Sequence, residues 1–236
     1  VLALILCGVA FRNLTKDLVK EKPVKEQSQS QKAEATEVPE EEHRPTRPVE
    51  KDPITTIHIK AAGDLNVTDS VVNAGVAIGG FDYGPVFKDV AGILSDADLT
   101  VMNFEGNVCG EPYGTKTTSA PIELVRTLRS CGVDLLQMAN SCAINNGLNG
   151  LTATLNAIRG AGIEPIGAYA SAAELRTSKG YTITEVQGIK VAFVAFTKGM
   201  DGMTLPQGSE HCVNVLYKDY DSTYQTIDRD NINRIM

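Results

Sequence analysis

From Ile54 onward the chain alternates short β-branched runs with helical stripes, each closed by glycine, and this alternation restricts the fold more than any other feature. Ile54–Ala62 (ITTIHIKAA) reads as a strand ending at Gly63-Asp64, and Pro85–Asp96 carries Val86, Phe87, Val90, Ile93 and Leu94 at helical spacing. Asp98–Phe104 is a second strand. Pro121–Ser130 is a helix that starts at a proline and stops before Gly132, and Val133–Met138 is a third strand. Gly147–Gly160 aligns Leu148, Leu151, Leu155 and Ile158 on one stripe, Ile163–Gly167 is a short strand and Ala172–Arg176 a helical turn. Tyr181–Thr197 reads as a hairpin about Gln187-Gly188. Apolar strands alternating with amphipathic helices predict an α/β fold with a largely parallel sheet.

The chain before Ile54 obeys different physics. Val1–Phe11 is an unbroken apolar run followed by Arg12 and Lys16; residues 1–13 are read as part of a signal peptide or, preferably, an uncleaved membrane anchor. Leu6 is too bulky for the position before a lipidated Cys7. Residues 14–53 are read as a disordered charged linker. Lys16–Asp52 holds eight Lys/Arg and ten Asp/Glu without one aromatic residue, too little apolar surface to offset backbone ordering. Its prolines keep it extended. Residues 54–236 remain as one domain, which holds 20 of the 21 glycines. Its cysteines, Cys109, Cys131, Cys142 and Cys212, show neither CxxC pairs nor a disulfide framework. Ile232–Met236 reads as the start of a helix, so the domain is expected to continue.

Charge excludes one class of partner. The 22 basic and 29 acidic side chains give a net −7 and a pI near 5.0, the wrong sign for nucleic-acid binding.

In parallel α/β sheets, ligands sit beyond the carboxyl ends of the strands. That rule selects Gly63-Asp64, Asn103-Phe104-Glu105 and Ala139-Asn140-Ser141-Cys142. If the three strands are neighbours, Asp64, Glu105 and Asn140 converge, and two carboxylates with an amide carbonyl suit Mg²⁺ or Mn²⁺. Each has a structural use as well: Asp64 as a turn cap, Asn103 and Asn140 as partners of loop backbone. Gly106–Ser119 is read as a solvated connection, with Tyr113 and Lys116 as its groups able to contact substrate. His43, His58 and His211 are assigned no role.

Several pieces together resemble the bacterial capsule synthesis protein CapA family, associated with poly-γ-glutamate synthesis, over roughly Thr56–Thr197. They are Ala62-Gly63-Asp64, Phe81-Asp82-Tyr83, Ala97–Gly106, Leu135–Gly147 and Gly188–Phe193. The resemblance implies a metallophosphatase-like four-layer α/β sandwich with metal ligands at strand ends. It also implies a domain on the extracellular side of the membrane, working with a membrane-bound polymer synthase or export proteins. One departure weakens the ligand set: where the family has a His and then an Asp, this chain has Cys142 and Asn145. Asn103, Cys142 and Asn145 are therefore additional site candidates, Cys142 being expected to pack as a small apolar group. The expected function is synthesis or export of an anionic surface polymer, with a metal-dependent phosphoesterase or a non-catalytic scaffold as alternatives. Residues 54–236 carry 13 Lys/Arg against 19 Asp/Glu, so contact with an anionic polymer would need a bridging cation.

Overall fold

The computed structural model describes residues 54–235; the expected anchor and linker lie outside them. Four strands form one parallel sheet: β1 (Ile59–Asn66), β4 (Leu99–Glu105), β5 (Leu135–Gln137) and β6 (Glu164–Ile166), in the order β1-β4-β5-β6. Between β1 and β4 lie α1 (Asp69–Ala74), a small antiparallel ribbon of β2 (Val76–Ala77) and β3 (Gly80–Phe81), α2 (Gly84–Phe87) and α3 (Ala91–Ser95). The helix α4 (Ile122–Ser130) connects β4 to β5, and α5 (Gly147–Gly160) connects β5 to β6. Then follow α6 (Ala172–Ser178), the hairpin strands β7 (Thr182–Val186) and β8 (Ile189–Phe193), and α7 (Arg229–Ile235).

Both crossover helices stop by the same device. After α4 the Val133 N–H reaches Leu128 O and the Gly132 N–H reaches Arg129 O; after α5, Ile163 reaches Ile158 and Gly162 reaches Arg159 in the same way. Gly132 and Gly162 hold left-handed φ of 91° and 80°, which glycine adopts without the steric penalty of a Cβ. Each reversal feeds the chain straight into the next strand.

The two faces of the sheet are covered differently. Met102, Phe104, Leu136 and Met138 pack with Leu124, Val125 and Leu128 of α4 and Leu151, Leu155 and Ile158 of α5. On the opposite face Leu99, Leu135 and Ile166 meet Val186, Val191 and Phe193 of the hairpin. Strand alternation thus sends odd-numbered residues of β4 toward the hairpin and even-numbered ones toward the helices. The α/β class with a parallel sheet is as expected. Among the described residues there are three layers, helix, sheet and hairpin, of the four that the sandwich implies.

Several boundaries differ from the sequence expectations. Pro85–Asp96 is two short helices rather than one, because only Phe87 and Leu94 of its apolar stripe are buried while Val86, Val90 and Ile93 face outward. The first strand starts later and runs through Gly63-Asp64 instead of ending there. The hairpin turn is where expected, with φ of 50° at Gln187 and 79° at Gly188, the two positive values of a tight turn between twisted strands. Among the described residues no helix is long and apolar enough to cross a membrane.

Candidate functional site

The aim of Asp64 follows from an irregularity in β1. Ile59, Lys60 and Ala61 pair with Leu99, Thr100 and Val101, but Asp64, not Gly63, pairs with Asn103. One extra residue is accommodated between Ala61 and Asp64, and such a bulge re-aims the side chain that follows it. In unbroken register Asp64 would oppose Phe104 and point into the helical core. The shift brings it onto the hairpin face beside Asn103. Gln137 of β5 also pairs with Asn103, so Asp64, Asn103 and Gln137 form one row across the sheet.

Hydrogen bonds join this row to Glu105 and Asn140. The Asn103 amide donates to Asp64 Oδ1 at 2.8 Å and to Glu105 Oε1 at 3.2 Å. Asn140, only 4% exposed, donates to Asn103 Oδ1 at 3.1 Å, to Phe104 O at 2.8 Å and to Gln137 O at 3.3 Å. Its own Oδ1 accepts the Cys142 N–H at 3.1 Å. Backbone carbonyls on one side and a backbone N–H on the other fix which way the Asn140 amide points. That orientation in turn fixes Asn103, whose NH₂ must then face the two carboxylates. The order of control runs from backbone to Asn140, to Asn103, and to the acids.

A cavity of about 400 Å³ opens beside this cluster, and Asn103, Glu105, Gln137, Asn140, Lys198, Asp201 and Tyr224 are among the residues lining it. The Glu105 carboxyl is pushed above the ordinary carboxylate range by burial first, then by Asp64 and Asp201, while the bond from Asn103 opposes the rise. Among the described residues Asp64, Glu105 and Asp201 form no ion pair. Cys142 is buried, with Sγ 3.7 Å from Ser141 Oγ. Burial chiefly, with the negative charge of Glu105 and Asp201, pushes its thiol up, so it stays protonated at neutral pH.

The sequence candidates thus separate into groups. Asp64, Asn103, Glu105 and Asn140 are gathered in one bonded cluster, and Cys142 lies next to it. Asn145 instead donates to Thr118 Oγ1 at 3.1 Å and holds the Gly106–Ser119 connection. That connection is stapled along its length: Asn146 donates to Asn107 Oδ1 at 2.7 Å, and Asp69 accepts the Thr115 N–H at 2.8 Å.

Sequence reasoning missed Gln137, Lys198, Asp201 and Tyr224. The strand-end rule reached Gln137, the last residue of β5, but was applied three residues later. Lys198 and Asp201 follow the hairpin, where only the glycines at 199 and 202 marked a shaped turn.

Asp64 and Glu105 fit a hard divalent cation, since each keeps a second carboxylate oxygen beyond the one held by Asn103. Asn140 fits less well, its carbonyl being engaged by Cys142. Among the described residues no group of three His, Cys, Asp or Glu side chains is placed to hold an ion.

The raised Glu105 carboxyl has a measurable consequence. A group whose folded-state pKa lies above its unfolded value supports the fold fully below the unfolded value and loses that contribution as pH rises through the folded one. The metal-free Glu105→Gln variant should therefore melt above wild type at pH 7.5 and match it at pH 4. Melting curves by circular dichroism would test this, and a lower melting point at pH 7.5 would refute it.

A parallel α/β sheet with acids and amides gathered at its carboxyl edge is an arrangement of the metallophosphatase-like class. Residues 58–234 match the sequence model of the family described as bacterial capsule synthesis protein PGA_cap; the chain belongs to that family and has a capsule-synthesis-related function. Comparison with curated proteins gives no match.

Proposed function

We propose that the protein is anchored in the cell membrane with its domain on the extracellular side. There it serves the synthesis or export of an anionic surface polymer such as poly-γ-glutamate, beside a membrane-bound synthase or export proteins. The observation that carries this reading is the bonded cluster of Asp64, Asn103, Glu105 and Asn140, which falls within the stretch matching the capsule-synthesis family. The apolar run Val1–Phe11 with Arg12 and Lys16 behind it supports the anchor.

In this reading Asp64 and Glu105 hold Mg²⁺ or Mn²⁺, Asn103 bridges the two acids, and Asn140 braces Asn103. The cation lets a domain of net negative charge engage an anionic polymer. Replacing the chromosomal gene with an Asp64→Ala allele should abolish surface polymer while leaving the protein at normal abundance. Unchanged polymer would refute the proposal.

The two carboxylates bridged by Asn103, with Glu105 lining an open cavity, also favour a metal-dependent phosphoesterase, in which a bound cation would supply hydroxide and polarise the phosphoryl group. Mn²⁺-stimulated phosphodiesterase activity that disappears in Asp64→Ala would select this reading. Equal activity in both proteins would remove it.

A further inference from the structure

The part of the cavity lining formed by Thr197, Lys198, Gly199 and Tyr224 is held more firmly than a surface loop requires. Thr197 Oγ1 donates to Gly199 O at 2.7 Å and accepts the Gly199 N–H at 3.3 Å, closing a tight turn directly behind Lys198. A Cβ on Gly199 would lie 2.4 Å from Tyr220 O and 2.5 Å from the Tyr224 ring, so only glycine lets the two segments meet. The Asp219–Thr226 loop is organised around the Asp219 carboxylate. It accepts the Gln225 and Thr226 N–H groups at 2.8 Å each, as well as the Thr223 hydroxyl. These bonds, the Gln225 N–H first, hold that carboxyl down to about 2, so the loop keeps its shape across the physiological pH range.

What this scaffolding presents is Tyr224, at a left-handed φ of 53°. Asp201, also lining the cavity, has φ of 52°. Two non-glycine residues held in that region beside one cavity mark a site where geometry is enforced by the surroundings. The Lys198 ammonium stands 4.6 Å from the centre of the Tyr224 ring. Among the described residues lining the cavity, Lys198 is the one cation, and it makes no ion pair there. The ring positions the ammonium through its negative face but takes up none of its three N–H donors.

We propose that Lys198, seated on Tyr224, binds an anionic oxygen group of the ligand, a phosphate or a carboxylate, in the cavity that Glu105 also lines. This rests on the reading of the cavity as the functional site, though not on any metal being bound there. The Lys198 ammonium supplies the attraction for an anion, against Glu105 and Asp201 on the same lining, and a cation held by the acids would add to it by offsetting their charge. Lys198 and Tyr224 thereby determine which end of a ligand enters.

The test titrates inorganic phosphate and, separately, glutarate into the full chain by calorimetry, with and without Mn²⁺. Lys198→Gln, Lys198→Arg and Tyr224→Leu are compared after circular dichroism shows each to be folded. The dissociation constant of the bound probe should rise at least tenfold in Lys198→Gln and about threefold in Tyr224→Leu. It should stay within threefold of wild type in Lys198→Arg, with Mn²⁺ affinity unchanged throughout. The probe that binds more tightly identifies the phosphate or the carboxylate source. Lys198-dependent anion binding without Mn²⁺ binding would support this inference while removing the cation from the functional reading. Equal affinity in wild type and Lys198→Gln, or no saturable binding of either probe to wild type, would overturn it.

Discussion

Replacing Asn140 with alanine is expected to lower the unfolding free energy by about 3 to 5 kcal/mol, since a buried polar group left without its partner costs about 1–3 kcal/mol. The substitution leaves the Cys142 N–H without its partner, removes the Asn140 donor from the carbonyls of Gln137 and Phe104 (the latter keeping the Gly106 N–H at 3.1 Å), and releases Asn103 Oδ1. Water from the neighbouring cavity can reach some of these groups, which keeps the total below the sum of the separate losses. Urea denaturation followed by circular dichroism gives the measurement, the chain having no tryptophan to report by fluorescence. A loss under about 1 kcal/mol would mean that the amide is not the brace described above.

Asn140→Asp separates the bonds from the volume. The new carboxylate would face the Phe104 and Gln137 carbonyls, so its folded-state pKa must rise. Its support of the fold is then present at low pH and lost as pH climbs through that raised value. The deficit against wild type should accordingly widen from pH 4 to pH 7.5. A deficit that is constant across that range would count against the assigned direction of the amide.

The same cluster shows what a sequence can and cannot reveal. That Asn103, Glu105 and Asn140 stand at or just beyond the carboxyl ends of strands was legible in local pattern, and Asp64 was placed near such an end although β1 runs two residues past it. Their convergence depends on strand order, and a parallel sheet with consecutive crossovers leaves few orders open. The bulge before Asp64 was not legible. A single unpaired residue leaves no periodic trace in an eight-residue strand, yet it decides which face the carboxylate occupies. The Lys198–Tyr224 part of the lining was hidden for a different reason. Lys198 and Tyr224 are 26 positions apart and are joined by a loop whose shape comes from Asp219 accepting backbone N–H groups. No hydrophobic repeat encodes that.

The split of Pro85–Asp96 into α2 and α3 teaches the converse. Val86, Val90 and Ile93 repeat at helical spacing without being buried, so periodicity identified a helical tendency but not the face that packs.

Two glycines near the site carry opposite expectations, and their contrast tests whether the sheet edge is as closely packed as its geometry requires. Gly167 follows β6 at φ 82°, and a Cβ there would lie 2.7 Å from Ala139 Cβ and 3.0 Å from Ala195 O. Gly167→Ala should therefore lower stability by about 3 kcal/mol, part from the left-handed backbone and part from overpacking. The pressure falls on Ala139, the residue before Asn140, so Mn²⁺ or anion binding should weaken in the same variant. Gly63, in the bulge, has no heavy atom within 4 Å of its ideal Cβ and no positive φ. Gly63→Ala should change stability by less than about 1 kcal/mol, with any change toward stabilisation because alanine restricts the unfolded chain. Denaturation of the two variants side by side gives the comparison. If Gly63→Ala proved as damaging as Gly167→Ala, the bulge that turns Asp64 toward Asn103 would be a constrained element rather than an open one. A harmless Gly167→Ala would show instead that Ala139 and Ala195 can yield, and that Asn140 is held by its hydrogen bonds alone.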